Sequence, residues 1–174
     1  MRWVVFVRGA NVGRHNRFQP ALLAKELAHL KIVNVGAAGT LAIFGKVSRR
    51  ALRSQILQKL PFKPELMICD GKEITELADQ NPFKNERLDD DQRAFVTVVA
   101  KAPAHLPKLP IHAPAIDGWQ VKIIGVAGNA VLSLWRRRGE RLLYPNEVVE
   151  KWFGEPSTTR SWNTIEKIVK ILEG

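Results

Sequence analysis

The chain has 174 residues, of which 45% are hydrophobic, and this is enough to bury a core as one domain or two small subdomains. Its apolar runs fall far short of the ~20 residues that a membrane-spanning helix needs, and its first residues lack the longer apolar region of a signal peptide. The single cysteine, Cys69, excludes an intrachain disulfide and fits a reducing compartment. We therefore expect a cytoplasmic, globular protein without a membrane segment.

The first 70 residues contain six periodic segments. They are, in chain order, a strand over 2–7, a helix over 20–30, strands over 31–36 and 40–45, a helix over 49–60 and a strand over 64–70. The order βαββαβ is that of a ferredoxin-like fold, in which two helices cover one face of a four-stranded antiparallel sheet. We predict a ferredoxin-like subdomain over residues 1–70.

The pattern of residues 71–174 predicts a second, smaller α+β subdomain that closes with two helices. Its segments are a short helix within 71–83, a strand over 93–100, a proline-rich extended segment over 103–114, a hairpin of strands over 120–125 and 130–136, and helices over 146–154 and 161–172. The predicted fold class of the whole chain is α+β.

The positive charge is concentrated at one end of the chain. Residues 1–69 contain 12 Lys or Arg and 2 acids, a net charge of 12 − 2 = +10, whereas residues 70–174 contain 15 of each and have a net charge of 0. A basic half joined to a neutral half suggests that the basic half meets a polyanion or an acidic substrate. The alternative is a solvated surface of high pI without a function.

The segment "RGANVGRHNR", residues 8–17, connects the first predicted strand to the first predicted helix. Glycines allow close backbone approach and helix N-termini attract anions, so an anion site is expected here. In a ferredoxin-like order, this loop and the hairpin "GAAGT", residues 36–40, emerge at the same end of the sheet. The candidate ligand-binding residues of the two loops are Arg8, Gly9, Asn11, Gly13, Arg14, Asn16, Arg17 and Gly39.

The spacing of Gly9 and Gly13 is neither a Walker loop nor a dinucleotide fingerprint, so it does not specifically indicate a nucleotide. The alternative to a binding role is a structural turn that needs positive φ at Gly9 or Gly13.

A second polar segment, "STTRSWNT" at residues 157–164, comes directly before the last predicted helix. We predict that Ser161 or Thr159 caps this helix. The other candidate ligand-binding residues cluster at the same helix N-terminus: Thr158, Thr159, Arg160 and Asn163.

A lone arginine at a helix N-terminus opposes the helix dipole unless a negative group is nearby. We therefore predict that Arg8, Asn11 and Arg160 converge on one anion. In the alternative, Arg160 pairs with an acid such as Glu155 or Glu166, and the asparagines cap turns.

The residues that commonly carry enzyme chemistry show no recognisable arrangement. Four histidines and one cysteine give no zinc spacing, and the sequence contains no readable Ser-His-Asp or paired-carboxylate pattern. The sequence therefore predicts no metal and no cofactor, and enzyme activity stays an open alternative.

Three segments together resemble one family. "VRGANVGRHN" at 7–16, "AAGTLAIF" at 37–44 and "TTRSWNTIEKIVKIL" at 158–172 are similar to the signatures of the mainly bacterial family Domain of Unknown Function 1697. The resemblance implies a ferredoxin-like subdomain followed by a second α+β subdomain, but no activity, substrate or cofactor. The family pattern falls on Arg8, Gly9, Asn11, Val12, Gly13, Gly39, Thr158, Thr159, Arg160, Trp162, Asn163 and Thr164. Ala10, Arg14, Ala38 and Thr40 depart from it.

The leading functional hypothesis is a binding protein for phosphate-bearing partners, either nucleic acid or a nucleotide, that uses the basic N-terminal half. Because Trp3 and Phe6 fall on opposite faces of the first strand, nucleic acid would be bound through phosphates at the loop end with little sequence preference. One alternative is a small-molecule enzyme or sensor that holds an anionic ligand between "RGANVG" and "TTRSWN". Another is a structural or partner-binding protein with the proline-rich segment and Trp119 or Trp135 at an interface.

Overall fold

The computed structural model describes residues 2–174. The described residues form two antiparallel sheets and five α-helices, which confirms the α+β fold class. The chain divides into two compact units, one made of the residues up to Asp79 together with Glu166–Gly174, and one made of Gln80–Ile165. The first unit thus includes residues on both sides of the second, whereas the sequence pattern predicts a single division at residue 70.

The first unit contains a four-stranded sheet. Its elements are β1 (Trp3–Val7), α1 (Pro20–Glu26), a 3₁₀ turn (Ala28–Leu30), β2 (Ile32–Asn34), β3 (Thr40–Ile43), α2 (Arg49–Lys59), β4 (Leu66–Asp70) and α3 (Gly71–Asp79). The strands follow the order β2-β3-β1-β4, and each neighbouring pair is antiparallel. Alternate residues of β1, namely Trp3, Val5 and Val7, share a core with apolar residues of α1 and α2. The central strand is therefore covered by helices on this face.

The first helix is shorter than predicted. The periodic pattern predicts a helix over 20–30, but α1 ends at Glu26 and a 3₁₀ turn follows. Lys31 closes that turn with φ at 48°, and its N–H donates to the Ala28 carbonyl. Leu23, Leu27 and Leu30 are all buried, because the tighter turn still places the last two leucines on the core side.

The second unit contains a five-stranded antiparallel sheet. Its elements are β5 (Gln92–Val99), β6 (Ile111–Ala113), β7 (Val121–Ala127), β8 (Ala130–Arg136), α4 (Pro145–Phe153) and β9 (Ser157–Ser161), followed by α5 (Trp162–Glu173), which continues into the first unit. The strand order is β6-β7-β8-β5-β9. Val148 and Val149 of α4 pack with buried β-branched residues of the sheet to form the core of this unit. In the part of the chain that the structure describes, no helix is long and apolar enough to cross a bilayer.

The division into units changes where the charge lies. The first unit has 15 bases and 8 acids, a net charge of +7, and the second has 12 bases and 9 acids, a net charge of +3. The first unit is less basic than residues 1–69 alone because the acids of α3 fold with it. It remains the more basic of the two.

Candidate functional site

Three segments of the first unit meet at one end of its sheet, and we call them the loop end: residues 8–19, 36–39 and 61–65. The Val7 N–H donates to the Gly39 carbonyl at 2.8 Å, and the Arg8 N–H donates to the Glu65 carbonyl at 3.0 Å. The rings of Phe18 and Phe62 pack edge to face with centroids 6.3 Å apart. These contacts confirm that the loop after β1 and the β2–β3 hairpin are neighbours.

Asn11 holds the loop end together. Its Nδ2 donates to the Ala37 carbonyl at 2.9 Å, and its Oδ1 accepts the Phe18 N–H at 3.0 Å. Its own N–H donates to the Asn16 carbonyl, and its φ of 54° lies in the left-handed region, which asparagine tolerates better than most residues. The geometry thus gives this side chain a structural role, joining the start and end of its own loop to the hairpin.

The glycines of the loop end are explained by backbone geometry. Gly9 and Gly13 have φ values of 65° and 58°, so the alternative of a turn that needs positive φ describes both. Gly39 has a φ of 72°, and a Cβ added there would lie 2.6 Å from the Ala10 Cβ. The hairpin therefore needs glycine for close packing as well as for its backbone conformation.

The remaining candidate residues of the loop end, together with Lys63, which the sequence did not single out, form a basic, solvent-exposed surface. Arg8, Arg14, Arg17 and Lys63 are all exposed, and Glu65 is the single acid in the three segments. Asn16 is exposed beside them. This surface depends on side-chain charge, because α1 starts only at Pro20 and has seven residues, too few for a strong dipole.

The segment "STTRS" directly precedes the last helix, but it is a strand, and only its last residue, Ser161, serves as a cap. It forms β9, which pairs with β5 so that Arg160 lies opposite Val96 and Thr159 opposite Thr97. The two threonine hydroxyls are hydrogen-bonded at 2.8 Å. Thr158, Thr159 and Arg160 are therefore strand residues and not part of a cap region, whereas their role in binding a ligand stays a prediction.

The helix cap itself was predicted correctly as one of two alternatives. The Ser161 Oγ accepts the Thr164 N–H at 3.4 Å, and α5 begins at Trp162. Asn163 lies in the first turn of α5 and is exposed.

Arg160 is a buried strand residue, with 7% of its surface exposed. Its Nη1 donates to the Thr158 Oγ1 and to the Thr159 carbonyl, both at 2.8 Å. Loss of solvation lowers the pKa of the guanidinium to about 10, so the group stays charged at neutral pH. Arg160 belongs to the second unit and Arg8 to the first, and their convergence on one anion stays a prediction.

The β1 strand offers no surface on which bases can stack. All five of its residues are buried, including Trp3 and Phe6, which point to opposite faces. The Trp3 Nε1 donates to the Val47 carbonyl, and the Arg49 guanidinium covers the ring at 5.3 Å. Both aromatic side chains are therefore used in packing.

Sequence reasoning missed a basic cluster in the second unit. Four arginines lie within residues 136–141, at and beyond the end of β8. The Arg136 guanidinium lies 4.0 Å from the Trp119 ring centroid, and its Nε donates to the Trp119 carbonyl at 2.7 Å. The density of arginines was visible in the sequence, but the charge balance of residues 70–174 concealed it.

Trp135 is half-buried. It stacks on Tyr144 and donates its Nε1–H to the Leu143 carbonyl. No group of three or more His, Cys, Asp or Glu among residues 2–174 is arranged to hold a metal ion.

The fold and the loop end define an α+β protein of two units, each built on its own antiparallel sheet, with a basic loop surface on the first. The chain belongs to the family described as protein of unknown function DUF1697, whose model matches residues 1–124. The matched range contains the segments at 7–16 and 37–44 and ends before 158–172.

A solved structure of a conserved bacterial protein from Streptococcus pneumoniae is similar to this chain. It has a TM-score of 0.62 and 17% sequence identity, with 98% of each chain covered. At this identity, the similarity concerns the fold alone. No protein with a curated description matches the chain in sequence.

Proposed function

We propose that the protein binds nucleic acid in the cytoplasm, through phosphate contacts at the loop end. One observation carries the proposal: three segments brought together by backbone and side-chain hydrogen bonds present four exposed cations and one acid. Clustered lysines and arginines on one surface neutralise phosphates and release the counterions condensed on the nucleic acid. The cytoplasmic location rests on the single cysteine, which fits a reducing compartment.

The contacts available at the loop end favour binding without sequence preference. Base recognition in single strands needs exposed aromatic platforms, and the aromatic residues of β1 are buried. Arg14 and Arg17 instead lie on an exposed loop, where their guanidinium groups are accessible to phosphates. Affinity should therefore depend strongly on salt and weakly on base composition.

The test is the salt dependence of binding to a fluorescently labelled single-stranded RNA of mixed sequence, followed by anisotropy over a series of KCl concentrations. The double variant Arg14→Glu, Arg17→Glu should bind more weakly than the wild type. The slope of log affinity against log salt should flatten by about 1.4, because each lost phosphate contact on a single strand contributes about 0.7.

The matched control is Lys101→Glu with Lys108→Glu, two exposed residues of the second unit. It changes the net charge by the same amount and should leave the slope near that of the wild type. Equal weakening of both double variants would mean that net charge alone governs binding, and the proposal would fail. It would also fail if the wild type showed no salt-dependent binding.

A further inference from the structure

The second unit contains a cavity of about 500 Å³, and Arg141 of the arginine cluster at 136–141 lines it. Its walls come from the end of β6, the loop after β8 and one face of α4. Its volume lies within the range of about 300–1,000 Å³ typical of small-molecule sites. The cavity lies within one unit and is independent of the loop end and of the function proposed there.

The wall formed by α4 combines an aromatic ring with charges of both signs. Trp152 is 53% exposed, which is unusual for so large an apolar ring on the surface of a folded unit. Lys151 precedes it in the chain, and Arg141 faces the cavity from the loop after β8. Glu147 lies one turn before Lys151 in the same wall.

The rim of the cavity is held by hydrogen bonds before any ligand arrives. The Gln120 Nε2 donates to the Arg141 carbonyl at 3.0 Å, and the Gln120 Oε1 accepts the Leu143 N–H at 2.9 Å. The Glu147 Oε1 accepts the Tyr144 N–H at 3.1 Å. These contacts fix the backbone that carries Arg141 and orient Glu147, so the wall is ordered in advance.

We propose that this cavity binds a nucleoside monophosphate. The exposed indole of Trp152 suits stacking with a base, and the cations Arg141 and Lys151 suit the phosphate. A carboxylate accepts hydrogen bonds and is suited to ribose hydroxyls, which gives Glu147 a role in the same ligand. An aromatic face, two cations and one acceptor in a cavity of this size match the three parts of a mononucleotide.

The test is calorimetric titration of the full chain with AMP, adenosine, ribose 5-phosphate and inorganic phosphate. AMP should bind at least about tenfold more tightly than any of the three fragments, because only AMP engages both the ring and the cations. Equal affinity for AMP and inorganic phosphate would overturn the proposal, and so would an absence of AMP binding.

Variants assign the two ends of the ligand. Trp152→Leu should weaken the binding of both AMP and adenosine by about 5- to 140-fold, since stacking of a base on an aromatic ring contributes about 1–3 kcal/mol. Arg141→Gln with Lys151→Gln should weaken AMP and leave adenosine unchanged. Unchanged AMP affinity in Trp152→Leu would overturn the proposal. The proposal would also be overturned if the double variant lost affinity for AMP and for adenosine equally.

Two controls separate the site from general effects. Lys108→Gln removes an exposed cation of the same unit outside the cavity and should bind AMP like the wild type. The loop-end variant Arg14→Glu, Arg17→Glu should also bind AMP normally. Loss of AMP binding in that variant would place the nucleotide at the loop end and overturn the cavity site. Because Trp152, Arg141 and Lys151 are exposed, the substitutions should leave the far-ultraviolet circular dichroism unchanged.

Discussion

Gly39 is expected to be the least replaceable glycine of the loop end. In Gly39→Ala, the new residue would occupy a φ of 72°, which costs about 1–2 kcal/mol for a residue with a Cβ. The Cβ would also lie 2.6 Å from the Ala10 Cβ and 3.0 Å from the Val7 Cβ. Overpacking of this kind costs about 1–3 kcal/mol, so the total destabilisation should be about 2–5 kcal/mol.

Gly13→Ala is the matched control, because Gly13 has a similar φ of 58° and no atom lies within 4 Å of its added Cβ, among the residues that the structure describes. Gly13→Ala should lose only the stability that the left-handed backbone conformation costs a residue with a Cβ, about 1–2 kcal/mol. The difference between the two variants therefore isolates the contact with Ala10 and Val7, and should be about 1–3 kcal/mol.

The assay is urea-induced unfolding of both variants at one temperature, followed by circular dichroism. Hydrogen exchange gives a local measure, because the Val7 N–H is bound to the Gly39 carbonyl and should exchange faster in Gly39→Ala. If the two variants lost the same stability within about 0.5 kcal/mol, the close packing of hairpin and loop would not contribute as described.

Two further predictions concern single side chains. Asn11→Ala should destabilise the protein by about 2–4 kcal/mol, because it loses both hydrogen bonds of the carboxamide and places alanine at a φ of 54°. Glycine tolerates that φ, so Asn11→Gly should be about 1 kcal/mol more stable than Asn11→Ala in the same urea assay. The buried Ser133 Oγ has no hydrogen-bond partner within residues 2–174, so Ser133→Ala should be neutral or stabilise the protein by up to about 1 kcal/mol. Thr97→Val should instead destabilise the protein by about 1–2 kcal/mol, since it breaks the hydrogen bond to the Thr159 hydroxyl. A thermal unfolding scan in which Ser133→Ala was less stable than Thr97→Val would contradict this description of the two hydroxyl groups.

The element order of the first 70 residues was predictable from local pattern. The continuous run of β-branched and aromatic residues in β1, the 3.6-residue spacing in α2 and the Ser48 cap, whose Oγ accepts the Ala51 N–H, are all local features. They were enough to place the loop after β1 beside the β2–β3 hairpin, because strand direction follows from element order. The basic character of these loops was likewise visible in the sequence.

The strand Ser157–Ser161 was decided only by tertiary structure. Its five residues are polar and precede a helix, which locally favours a cap. Its partner β5 lies about 60 residues earlier, and the pairing of Arg160 with Val96 has no local signature. The burial of Arg160, and with it the lowered pKa, follows from that pairing. Helices and turns are set by neighbours in the chain, whereas a β-strand is completed by a partner that only the folded chain brings alongside it.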